Sequence, residues 1–275
     1  MATGSDVEGD DPFGQFVRES LTRMAHPAFG ALESLLVTRL APRLSAIFEA
    51  ASSIYNSRAG VFGEVQRRDG DDRARYFYEL LTMGVQEGLR SCLYYVNNFL
   101  FLEEQVKNLG AQLQGESPPK RAVTIGLHSH ALVAEYEAFT VMSRATLDRL
   151  NRFFTVYFKS SDRNLYRLAR TLRANYQENS RAQSLLHAIE RQQHYLDSQI
   201  SMDKGAFSTE RDRLAHREFV SWVTVNIILD PDGSIRVIVY QSGSENFEEN
   251  AGSILQSRYS QLGEAIIDLV IAFLK

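Results

Sequence analysis

A mainly helical fold, an antiparallel bundle with a small β-hairpin before its last helix, is what this sequence predicts, and three observations predict it. Long stretches keep apolar residues at helical spacing with few interruptions, notably Asp72 to Leu113 and Leu127 to Phe158. A proline pair, Pro118-Pro119, stops the first of these, because proline lacks the backbone donor and pushes the residue before it out of helical geometry. Late in the chain two runs rich in β-branched residues flank a tight-turn composition.

The elements follow in order. Residues 1–12 carry Asp6, Glu8, Asp10 and Asp11 with no base and little apolar surface, and read as a disordered acidic tail. Residues 13–71 read as an N-terminal group of two or three helices, with Leu32, Leu35, Leu36 and Leu40, then Leu44, Ile47 and Phe48, in phase. Pro27 and Pro42 mark helix boundaries or first turns, and Ser57 to Asp72, with Gly60, Gly63 and Gly70, reads as a loop. Residues 72–275 form the bundle: the two long helices, one or two more over Asp162 to Ile200, a hairpin near 222–241, and a last helix from about Ser253. The hairpin is centred on Asp230-Pro231-Asp232-Gly233-Ser234.

Composition narrows the class. With 44% hydrophobic and 23% charged residues the chain can build a sizeable core. Its one cysteine, Cys92, lies in an aromatic helical setting that reads as core packing, so a reducing compartment, the cytoplasm, is the expected location. The acidic first residues lack the basic and apolar regions of a secretory leader. The longest apolar run, Ala265 to Leu274, is interrupted by Asp268 and is shorter than the roughly 20 residues of a membrane span. It reads as a core helix, and no membrane partner is expected. Beyond the acidic tail the charges balance at 30 acids and 30 bases, so nucleic-acid binding would need a local patch.

Most chemical motifs are absent from the sequence. There is no Gly-rich phosphate loop, no His-Glu-x-x-His and no Gly-x-Ser-x-Gly elbow. A calcium loop starting at Asp230 fails because its sixth and twelfth positions are Ile235 and Gln241. His187, Glu190 and His194 share one helical stripe, but they read as a solvated face rather than a metal site, and His128 and His130 fall on different faces. No cofactor is expected. One local patch stands out: between Arg144 and Arg173 there are eight bases and two acids, with Arg163, Arg167 and Arg170 at helical spacing. These three arginines are the candidate RNA-binding residues, and Tyr157 and Tyr166 are the aromatics available to stack on bases. A solvated helix face would have the same pattern.

The other constellation is Arg211-Asp212-Arg213-Leu214-Ala215-His216. Thr209 and Asp212 fit a capping box that starts a short helix. Asp212 and His216 are four apart and share a face, so the carboxylate can fix the imidazole tautomer. Arg211 lies about 140° around a regular helix from His216 and converges on it only from a frayed first turn. This Arg-Asp-x-x-x-His run resembles the Arg-x(4 to 6)-His motif of the HEPN superfamily of helical-bundle proteins. The spacing recurs from Arg121 to His128 and from Arg181 to His187, but only the Arg211 copy has a polar residue after the arginine and follows the long bundle helices. Glu135-Tyr136-Glu137-Ala138-Phe139 through Leu147-Asp148-Arg149-Leu150 is similar to a helix of uncharacterised bacterial HEPN-like proteins, and the resemblance spans Asp72 to Lys275. A hairpin between motif and last helix departs from the minimal four-helix bundle.

What the resemblance implies is metal-independent endoribonuclease cleavage at a composite site formed by two protomers. Arg211, His216 and Asp212 would be its catalytic residues, with Glu137 and Asp148 as candidates for the family's further acidic partner. RNA and a second copy of the chain are the implied partners, and a regulatory protein partner stays open. The alternative is a non-catalytic HEPN-like module for binding or scaffolding, with the Arg211 to Glu218 segment as an exposed ion-pair helix.

Overall fold

Residues 38–114, 123–126, 130–199, 223–241 and 251–275 are described by the computed structural model of the chain, and among them the fold is mainly helical. Helix α1 (Thr38–Asn56) holds Pro42 near its start and buries Leu40, Leu44, Ile47, Phe48 and Ala51. Helix α2 (Gly60–Asp69) follows where the sequence predicts a loop. The correction has a physical cause: Val61, Phe62 and Val65 are at most 1% exposed, so one turn-spaced apolar cluster outweighs three glycines. The glycines serve other ends. Gly60 and Gly70 take positive φ at the two ends of α2. A Cβ on Gly63 would sit 2.1 Å from the Arg58 carbonyl oxygen.

The longest helical stretch runs from Asp71 to Gln114 as α3 (Asp71–Glu79), a π-helical segment (Leu80–Gln86) and α4 (Glu87–Gln114). It packs along α5 (His130–Phe158), and Gly88 marks a point of close approach, since a Cβ there would lie 2.3 Å from Thr146 Oγ1. Alanine favours helix by about 1 kcal/mol over glycine. Even so, Gly88→Ala is expected to destabilise by about 1–3 kcal/mol, because Thr146 is fully buried and hydrogen-bonded to the Met142 carbonyl. A urea midpoint that rises would contradict this.

Three helices, rather than one or two, fill the region after α5: α6 (Leu165–Asn175), α7 (Ser180–Arg191) and α8 (Gln193–Gln199). Two asparagines make the breaks. Asn164 and Asn179 have extended backbones, and each side chain accepts from the amide three residues on, Arg167 and Ala182, at 2.9 Å. The last helix, α9 (Ala251–Leu274), packs against α1, α4, α5 and α7. Ile266, Leu269, Val270 and Phe273 are fully buried. Asp268, the charge in that apolar run, lies at the rim, where Arg191 reaches it at 2.6 Å and Gln192 at 3.1 Å. No helix among the described residues is long and apolar enough to cross a membrane.

Three short strands form an antiparallel sheet in the order β1 (Val123–Gly126), β2 (Val223–Leu229), β3 (Ile235–Gln241). Val123 pairs with Leu229, and Leu229 with Ile235. The turn between β2 and β3 has Gly233 at φ 84°, an Asp230 N–H bonded to the Ser234 carbonyl at 2.9 Å, and Arg236 clasping the Asp230 carboxylate.

A single apolar cluster joins α1 and α2 to the later helices. Its centre is aromatic: Phe153 of α5 stacks on Phe77 of α3 at 4.4 Å and meets Phe273 of α9 edge-on at 5.2 Å. Cys92 is fully buried, and burial pushes its thiol up to about 11, against a weaker downward pull from the Ser143 hydroxyl 3.7 Å away. The thiolate is the nucleophile, so native protein at pH 8 should resist iodoacetamide and label fully only in denaturant. Rapid labelling of the folded protein would contradict the core assignment.

Candidate functional site

Arg211, Asp212 and His216, the predicted catalytic residues, lie outside the described residues, as do Arg121 and His128. The third copy of the spacing is described, and its two ends do not meet. Arg181, at the start of α7, donates to Glu64 Oε2 at 2.9 Å and to the Tyr157 hydroxyl at 2.6 Å. Its side chain is only 18% exposed, and its guanidinium lies over the Tyr157 ring at 5.4 Å. Arg68 takes a similar position over that ring at 5.6 Å and donates to the Tyr157 carbonyl. His187 is exposed, about 120° around the helix from Arg181. Arg181 therefore serves to bind α7 to α2 and α5, and it does not form an arginine–histidine pair.

The predicted RNA-binding stripe is only partly helical. Arg163 precedes the cap residue Asn164, so it is off the helical phase of Arg167 and Arg170. Arg163 and Arg170 are exposed, and Arg167 is half-buried. The two tyrosines expected to stack on bases are otherwise engaged. Tyr157 is 8% exposed, and burial followed by its hydrogen bond to Glu64 raises its hydroxyl above the ordinary tyrosine value. The half-buried Tyr166 bonds Asp197 through its hydroxyl, joining α6 to α8.

Among the acidic candidates, Asp148 pairs with Arg144 at 3.0 Å one turn away, and Glu137 is half-buried. The more enclosed acids are others. Glu103 is 2% exposed, and Glu135 receives Asn98 at 3.4 Å between α4 and α5. Glu103 follows Val96 and Phe99 in helical phase, a signal the sequence does carry. The histidine stripe is broken as well: α7 ends at Arg191, so His187 and His194 sit on different helices, and Glu190 pairs with Arg173 at 2.6 Å. No cluster of three or more metal-ligating side chains occurs among the described residues.

The structure brings together a basic groove that spacing alone does not reveal. Asp69, Arg73, Arg152, Thr155, Lys159 and Ser160 line it, at the end of α2, the start of α3 and the end of α5, with a volume of about 490 Å³. Lys159 takes φ 52°, the left-handed position just past a helix end, and Ser160 N–H bonds back to the Thr155 carbonyl at 2.9 Å. Glycine is usual at such a position, and a side chain there costs roughly 1–2 kcal/mol. Lys159 reaches Asp69 at 2.7 Å, and Arg68 reaches the same carboxylate at 2.8 Å. The Lys159 hydrogen bond is the main cause that holds the Asp69 carboxyl below the ordinary aspartate value. Arg73 and Arg152 have no carboxylate partner among the described residues; Arg73 lies over the Tyr76 ring at 5.3 Å.

Compared with known proteins, the chain matches no family model, no curated protein and no solved structure.

Proposed function

We propose that this chain is a metal-independent endoribonuclease of HEPN type, acting as a homodimer in the cytoplasm with a composite site built from Arg211, Asp212 and His216. The observation that carries the reading is the Arg211-Asp212-x-x-x-His216 run in a chain of long bundle helices. The copy at Arg181 is not a rival, since that arginine is tied to Glu64 and Tyr157.

The chemistry follows from the residue types. His216 takes the proton from an RNA 2′-hydroxyl or supplies one to the leaving 5′-oxygen, which an imidazole titrating near neutral pH does well. The 2′-oxygen bonds to phosphorus as the bond to the 5′-oxygen breaks, leaving a 2′,3′-cyclic phosphate and a 5′-hydroxyl. Arg211 neutralises charge on the phosphoryl oxygens with a permanently charged fork, and Asp212 orients His216. Purified protein incubated with mixed RNA in EDTA should produce cyclic-phosphate ends, and His216→Ala and Arg211→Ala should not. Inactive wild type would end the enzyme reading.

A second reading has its own support. A non-catalytic binding module, with or without a regulatory protein partner, would need only a surface such as the basic groove at Arg73, Arg152 and Lys159.

A further inference from the structure

We infer that the groove between α2, α3 and the end of α5 is a binding track for single-stranded RNA, with Arg73, Arg152 and Lys159 on its phosphates and Tyr76 beside it as a stacking platform. The choice of RNA rests on the proposed function; the site itself rests on the geometry. The groove's carboxylate, Asp69, is already shared by Lys159 and Arg68, so the site has a surplus of positive charge. Arg73 and Arg152 are exposed and lack a carboxylate partner among the described residues, leaving both guanidinium groups available to anionic oxygens.

The hydroxyls do not compete for that role. Thr155 donates to the Arg152 carbonyl at 3.1 Å and Ser160 donates to Asp162, so recognition falls to the cations. Lys159 keeps a left-handed backbone where glycine would be unstrained, a feature that places a cation at the groove. The aromatic neighbour argues for a nucleic acid over free phosphate. Tyr76 is one of the few large hydrophobic residues that stay exposed among the described residues, at 37%, and Arg73 lies over its ring. Cations that follow a backbone beside an exposed aromatic ring are the pairing that binds single strands without sequence preference.

The test is fluorescence anisotropy of the full chain with a labelled single-stranded 12-nucleotide RNA in EDTA, across a salt series. His216→Ala is the common background, so that cleavage does not intrude. Adding Arg73→Ala and Arg152→Ala should weaken binding and flatten the slope of log affinity against log salt by about 1.4, the share of two phosphate contacts. Tyr76→Ala should weaken binding about 5- to 150-fold with the slope unchanged. All three substituted side chains are exposed, and unchanged thermal melts would verify folding. Equal affinity and slope in the double variant would overturn the inference. Binding of inorganic phosphate in calorimetry, lost in the Arg73→Ala/Arg152→Ala double variant, with no binding of the RNA would also overturn it and assign the groove to a free anion. Failure of the ribonuclease reading would look different: RNA bound through the groove and left intact by wild-type protein.

Discussion

Phe153→Ala should lower the stability of the protein by about 3–5 kcal/mol, a large part of the margin by which a domain of this kind stays folded. Phe153 is fully buried and touches rings from four helices. It stacks on Phe77 at 4.4 Å, meets Phe273 edge-on at 5.2 Å, and lies 5.5 Å from Phe154 and 6.4 Å from Phe62. Deleting the ring removes its transfer free energy and leaves a cavity walled by other stiff rings, which cannot collapse to fill it. Urea unfolding measures the loss. Val141→Ala on the same helix is the control, since Val141 is 46% exposed and its truncation should stay within about 0.5 kcal/mol. Equal effects from the two substitutions would mean that the aromatic cluster is not the centre of the core.

His216→Ala carries the other large expected effect, a loss of about 10²- to 10⁴-fold in RNA cleavage, the range that a positioned acid or base supplies. Arg211→Ala should cost about 10²- to 10³-fold, as the loss of one oxyanion-stabilising donor does. Arg211→Lys should rescue little, because a lysine ammonium cannot replace the planar two-pronged contact with a phosphoryl group. Asp212→Asn should have a smaller effect and move the pH profile, since a positioning carboxylate acts through the imidazole. A variant set in which Arg211→Lys is fully active would separate charge from geometry and weaken the role assigned to Arg211.

The parts of the fold that were legible in the sequence are those with local causes. Helical periodicity marks out α4 and α5, and the composition of Asp230 to Ser234 marks the turn that its hydrogen bonds make. Helix α2 was hidden because three glycines signal a loop locally, while the burial that overrides them comes from Phe77 and Phe153, which pack on Phe62 from elsewhere in the chain. Strand β1 was hidden for a similar reason: four residues beside a proline pair acquire a partner only through β2, a hundred residues on. The breaks at Asn164 and Asn179 were readable in principle, as capping residues, but an uninterrupted helical composition masks them.

The candidate sites divide along the same line. A linear motif such as Arg211-Asp212-x-x-x-His216 is visible in the sequence alone. Arg181 and His187 match it by spacing; the residue after the arginine, Ala182, already sets that copy apart, and the contacts of Arg181 with Glu64 and Tyr157 give that arginine a structural role. The basic groove could not have been read from spacing, because it brings Asp69 and Arg73 against Arg152 and Lys159 across some eighty residues. Lys159 and Arg152 already belong to the basic segment that the sequence displays; their relation to Arg73 and Tyr76 is tertiary.

The composite Arg211 and His216 site is tested by end-group analysis of RNA incubated in EDTA with the purified full chain, beside folded His216→Ala and Arg211→Ala proteins. Fragments with 2′,3′-cyclic phosphate ends are expected from the wild type and intact RNA from both variants. The same outcome from all three proteins, whether cleavage or none, would contradict the role of that site.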